Sequence, residues 1–168
     1  MHAPEGEPLN KQIVIAVALC LCGTVQAQSL QVQRPVPYAE DNDIADNIKT
    51  ECKINEELAD AIKEHVGSVE FTSDAVDTGN GRVLQLEIVD AVSMGNAWMG
   101  HQKYMKVKGA LYEDGKKVAG FKGRRNSMGG AFAGYKGSCS VLGRTAEALG
   151  EDIATWLQAP RDGANLGD

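Results

Sequence analysis

From Tyr104 to Arg124 two runs of alternating apolar and charged residues approach and leave Glu113-Asp114-Gly115, and this pattern leaves few folds open. Side chains in a strand point alternately to opposite faces, so the runs predict an antiparallel hairpin with two unlike faces. Met105, Val107 and Leu111 share one face with Gly109, while Tyr104, Lys106, Lys108 and Ala110 share the other. A two-residue Asp114-Gly115 loop would set Val107 opposite Lys122 and mix core with charge. A three-residue loop with Gly115 in the left-handed region pairs Val107 with Phe121 and Gly109 with Ala119, which keeps one face apolar. That register is the one expected. It gathers Tyr104, Lys106, Lys108, Lys122 and Arg124 on the opposite face.

The flanking chain supplies partners for such a sheet. Leu84, Leu86 and Ile88 alternate with Gln85 and Glu87, predicting a strand over Val83–Val92, and Val69 and Phe71 predict a short one. Ile44, Ile48, Cys52 and Ile54 alternate with polar residues and are read as a strand, although the first three would also share a helix face. Asn55 is the expected N-cap of a helix with Glu56 and Glu57 in its first turn, an apolar stripe from Leu58 to Val66 and Gly67 at its end. A second helix is expected after Ser138 or Ser140, with Leu142, Ala146, Leu149, Ile153, Trp156 and Leu157 on one face and Pro160 beyond. Gly143 and Gly150 share a face of it, and close packing onto the sheet would compensate their helix-weakening effect. The fold class is therefore α+β, an antiparallel or mixed sheet of four to five strands with two helices packed on it.

At the N-terminus Lys11 precedes the apolar run Ile13–Val25, and Val25-Gln26-Ala27 has the small residues of a cleavage site. Residues 1–27 are expected to be a secretory signal peptide, too short for a stable membrane span. The acidic lead-in before it also admits a translation start near Leu9 rather than Met1. Residues 28–43 carry Pro35 and Pro37 and little periodicity, so they are expected to be an extended, partly mobile lead segment. Residues 44–160 then make one α+β domain, and residues 161–168 a frayed tail. Cleavage after Ala27 removes Cys20 and Cys22, leaving Cys52 and Cys139. In an exported chain two thiols pair, and closing so long a loop contributes about 4–5 kcal/mol at most in the chain-entropy model.

Charge is unevenly distributed. Residues 28–99 hold 5 Lys and Arg against 14 Asp and Glu, residues 100–144 hold 10 against 2, and residues 145–168 hold 1 against 5. The acidic sum argues against a nucleic-acid binder. The basic strand face is either a solvated surface neutralised by the protein's own acidic helices or a docking surface for an anionic group or acidic partner.

Catalytic motifs are thin. The glycine loop Gly129–Gly137 fails the phosphate-loop register because Tyr135 separates Gly134 from Lys136, though its backbone N–H groups would suit an anion at a helix start. Ser138 and Ser140 lack a nucleophile-elbow setting, and His65 sits at the edge of a helix stripe. No cofactor is expected, and an enzyme, such as a small hydrolase, is the weakest functional class. A soft-metal site for Cu(I) or Ag(I) is the alternative, from Met94, Met99, His101 and Met105 beside Trp98 in an expected loop over Ser93–Gln102. A sulfur–aromatic contact explains Met99 and Trp98 equally well. The leading expectation is a non-enzymatic envelope protein, periplasmic and without a membrane span in the mature chain. It would bind an envelope protein or anionic ligand through Trp98, His101, Lys106, Lys108, Lys122, Arg124, Phe132, Tyr135 and Lys136.

An internal echo, Ala119-Gly120-Phe121-Lys122-Gly123 and Ala133-Gly134-Tyr135-Lys136-Gly137, places small residues around an aromatic. The second copy belongs to a longer pattern, Gly129-Gly130-x-Phe132-x-Gly134-x-Lys136-Gly137-x-Cys139, followed by Leu149-Gly150-x-Asp152-Ile153-Ala154-x-Trp156-Leu157. With Cys52, Leu84-x-Leu86-x-Ile88 and Ala97-Trp98, it resembles a family of small exported proteobacterial proteins with no assigned activity. The resemblance implies location, fold and the disulfide rather than a function. More faintly, the order of elements looks like envelope lipoprotein domains such as activators of cell-wall synthases and the amino-terminal domain of the translocation protein TolB.

Overall fold

The structure, a computed structural model, describes residues 28–96, 100–127 and 137–167, with side chains except at 94–96, 100–102 and 138. The elements run β1 (Leu30–Gln33), α1 (Asp46–Glu51), α2 (Ile54–Val66), β2 (Val69–Thr72), β3 (Arg82–Asn96), β4 (Gly100–Glu113), β5 (Lys116–Asn126), α3 (Ser138–Gln158) and β6 (Ala164–Gly167). One mixed six-stranded sheet has the order β2-β1-β3-β4-β5-β6. Strands β3, β4 and β5 form an antiparallel meander, whereas β1 is parallel to both β2 and β3, and β5 is parallel to β6. Parallel neighbours need crossovers, and the helices provide them: α1 and α2 link β1 to β2, and α3 links β5 to β6. The expected α+β class holds, and the described residues form one strand and one helix beyond the expected numbers.

The additional elements correct the sequence expectations at both ends. Residues 30–33, expected in a mobile lead segment, form an inner strand, with Val32 opposite Phe71 on one side and Leu84 on the other. Leu30 and Val32 alternate with Gln31 and Gln33, and both apolar side chains are buried. The same path continues along β3, where Tyr38 bridges Ile88. The tail expected to fray ends as β6, with Asn165 opposite Lys122. Between Ile44 and Cys52 the chain is helical rather than extended, and Ile44, Ile48 and Cys52 are buried together. Their spacing fits both periods, and the helix wins because it turns all three onto the core while Asp46, Lys49 and Glu51 stay toward water. Neither long helix uses its expected cap: α2 begins after Lys53 and α3 after Gly137, with no side-chain cap bond.

The hairpin keeps the expected faces by a different route. Glu113 pairs with Lys116 across a two-residue Asp114-Gly115 turn, both with positive φ, 47° and 83°. This turn matches the strand twist. Uncorrected, it would set Val107 opposite Lys122. An extra residue in β5, Val118, shifts the register between Leu111 and Tyr112, so Gly109 lies opposite Phe121 and Val107 opposite Gly123. Val118 is the displaced residue and remains 43% exposed. A second bulge at Val89 shifts β3 against β4.

One sheet face is covered by helices. Leu84, Leu86, Ile88, Met105, Val107, Leu111 and Phe121 are buried with Leu58 and Ile62 of α2 and Leu142, Leu149, Ile153 and Trp156 of α3. The Phe121 ring meets Trp156 edge-on at 4.7 Å and lies over Gly109, where an added Cβ would be 2.6 Å from the ring. The two glycines of α3 face α2 rather than the sheet, correcting the expected contact. A Cβ at Gly150 would meet Ala61 Cβ at 2.5 Å and the Ala61 carbonyl carbon at 3.0 Å, whereas one at Gly143 would meet the Glu57 carboxylate. Cys52 and Cys139 form the expected disulfide, with Cα atoms 5.0 Å apart, and tie the α1–α2 junction to the first turn of α3. Arg125 grips Asp152 through two 2.7 Å bonds and fixes β5 to α3. Arg34 does the same for β1 and α2 through Asp60, at 2.7 and 2.9 Å.

Candidate functional site: the open basic face of the sheet

Alternation sends the even-numbered residues of β4 and β5 away from the helices. Tyr104, Lys106, Lys108 and Ala110 of β4 lie opposite Asn126, Arg124, Lys122 and Gly120 of β5. Lys108, Lys122 and Arg124 are exposed. The face expected from the sequence is therefore present, with two like-charged rungs side by side. Adjacent cations repel, and strand β3 relieves half of that repulsion.

The relief depends on the bulge at Val89. It sets Asp90 opposite Lys106 after Glu87 has been set opposite Lys108. Lys106 Nζ donates to Asp90 at 2.8 Å, and Lys108 Nζ lies 2.9 Å from Glu87. These hydrogen bonds raise both lysines above the ordinary lysine range. Asp90 also accepts from the Tyr104 hydroxyl at 2.9 Å, and partial burial with that bond pushes the phenol up. Lys106 Nζ and the Arg124 guanidinium lie 4.9 and 4.7 Å from the Tyr104 ring centroid, a doubly used cation–π surface. The neutralising carboxylates thus come from the neighbouring strand rather than from acidic helices.

Strand β5 is treated differently. Across β6 Lys122 faces Asn165, and Arg124 faces Gly167. Arg124 Nε donates to Asn126 at 3.1 Å. Among the described residues Lys122 has no carboxylate within ion-pairing distance. Lys122 and Asn165 stand between two hollows. One, of about 530 Å³, runs over Ala110 and Gly120 from Glu87 to Asp162; the other, of about 480 Å³, runs past Gly123 to Arg124 and Val89. Lys117 folds across Gly120, and its Nζ lies 4.0 Å from Asp162 at the far end of the first hollow. Gln85, Asp162 and Asn165 were not anticipated from the sequence.

The remaining predicted residues separate from this cluster or lie beyond it. Trp98, Met99, Phe132, Tyr135 and Lys136 lie outside the described residues, as does the expected signal peptide, residues 1–27. The expected loop over Ser93–Gln102 is largely strand, with Met94 paired to Gln102 and Gly95 to His101. Met105 is a core residue, completely buried, which removes it from any exposed thioether set. His65 is exposed near the end of α2. Among the described residues no group of three or more His, Cys, Asp or Glu could hold a metal ion, and no helix is long and apolar enough to cross a membrane.

No family model matches the chain, and no curated protein matches it. Among solved structures it is similar to a "putative lipoprotein" from Caulobacter crescentus CB15, at 16% identity and a TM-score of 0.37, covering 73% of this chain and 92% of that one. A likeness at that score carries no argument about fold or function.

Proposed function

We propose that this chain is an exported, non-enzymatic binding module of the cell envelope whose open sheet face receives an acidic partner or anionic ligand. The observation that carries this reading is the contrast between neighbouring strands. Lys106 and Lys108 of β4 each have a carboxylate on β3, while Lys122 and Arg124 of β5 meet asparagine and glycine on β6. A surplus of positive charge beside two hollows suits an anion arriving from outside. Export is supported by Lys11, the apolar run and the Ala27 pattern, and the Cys52–Cys139 bond fits an oxidising compartment. A binder rather than an enzyme is supported by the chemistry of the face, where cations and ion-paired carboxylates predominate.

The test is capture of ligands from an envelope extract by Gln28–Asp168 at low and high salt, beside the Lys122→Glu/Arg124→Glu variant. Salt-sensitive capture lost in the variant supports the reading. Capture that survives both high salt and charge reversal contradicts it.

A further inference from the structure

The 530 Å³ hollow differs in chemistry from the rest of the basic face. Its size is that of a small-molecule site, and its walls mix apolar surface with a ring of polar and charged side chains. Lys108 and Lys122 stand opposite each other at one end; Glu87 neutralises Lys108, and Lys122 supplies the surplus positive charge. The Lys117–Asp162 pair closes the other end. The floor is Ala110 and, opposite it in register, Gly120, over which the Lys117–Asp162 pair folds. Gln85 and Asn165 flank that floor from β3 and β6, and each amide both donates and accepts hydrogen bonds. Glu87 and Asp162 add acceptors at the two ends.

A purely ionic partner would make no use of this half of the cleft. An apolar ligand would cover the Gln85 and Asn165 amides without pairing them, which is costly. The complement of one cationic end, a flat small-residue floor and a rim of mixed donors and acceptors is a compact polyhydroxylated body with one negative group. We propose that this trough binds an anionic sugar, with its carboxylate or phosphate at Lys108 and Lys122 and its hydroxyls at Gln85, Asp162 and Asn165. The proposal rests on the open-face reading above and assigns it a ligand class. A uronic acid and a sugar phosphate share the required chemistry.

The experiment is an amide-resolved NMR titration of Gln28–Asp168 with glucuronate, glucose 6-phosphate, glucose and inorganic phosphate at equal ionic strength. Saturable shifts at Ala110, Gly120 and Asn165 with either anionic sugar, much weaker with glucose or phosphate, support the proposal, and the tighter of the two sugars identifies the anionic group. Lys122→Gln and Asn165→Ala should each weaken that binding by up to about tenfold. Ala110→Leu, which fills the floor, should abolish it without loss of the folded spectrum. Inorganic phosphate binding as well as glucose 6-phosphate, or no shift at these amides with any probe, overturns the proposal. Salt-sensitive capture dependent on Lys122 and Arg124 would survive that failure, so the two ideas fall separately.

Discussion

Strands β4 and β5 carry two faces built on opposite principles. Toward the helices, Val107, Leu111 and Phe121 are almost completely buried, and Gly109 exists because the Phe121 ring occupies the place of its side chain. Toward water, Lys106, Lys108, Lys122 and Arg124 line up in like-charged rungs, and the β3 carboxylates neutralise only their β4 half. The first face stabilises the fold and tolerates little change. The second contributes little stability, and it is the face proposed above for binding. Alternation of period two makes both properties available from the same residues.

The largest expected effect lies on the helix-covered face. Phe121→Ala removes the edge contact with Trp156 and the cover over Gly109, and denaturant unfolding should show a loss of about 3–5 kcal/mol. Cys139→Ala opens the link between α3 and the α1–α2 junction and should lose about 2–5 kcal/mol by the same measurement. A finer contrast lies within one helix. Gly150→Ala would press on Ala61 and Ile62 backbone atoms that cannot swing aside and should destabilise by about 1–3 kcal/mol. Gly143→Ala meets only the movable Glu57 carboxylate, so its thermal midpoint should hold or rise, gaining up to about 1 kcal/mol of helix propensity.

The smallest effect is a pH dependence. The Arg34 hydrogen bond holds Asp60 below the usual carboxylate range. A depressed folded value means that the contribution is present above the unfolded aspartate value, about 3.9, and is lost as pH falls through the folded one. Wild type should therefore lose this contribution below about pH 4. Asp60→Asn should show a shallower acid limb, read by thermal melts across that range. The pair is half exposed, so the difference should be modest.

The sequence pattern displayed the hairpin faces clearly because alternation survives any pair of compensating irregularities. It did not display the register, since nothing marks Val118 as an extra residue until the Asp114-Gly115 turn fixes the first rung. Strand β1 was hidden just ahead of Pro35 and Pro37, with only Leu30 and Val32 to mark it. Strand β6, Ala164–Gly167, has almost no strand signal and gains its place by pairing with β5. The second omission explains part of what was missed at the site. The lysines and arginine were visible in the sequence, but Asn165 and Asp162 belonged to an apparent tail. The role of Asp90 depends on the Val89 bulge, which composition does not reveal.

The most direct test of the division between the two faces is one variant measured two ways. Lys122→Glu/Arg124→Glu should unfold at a denaturant midpoint close to that of wild type, within about 0.5 kcal/mol per site, while losing the salt-sensitive capture of envelope ligands. A variant that unfolds much earlier, or one that keeps both its stability and its ligands, would contradict the assignment of stability to one face and binding to the other.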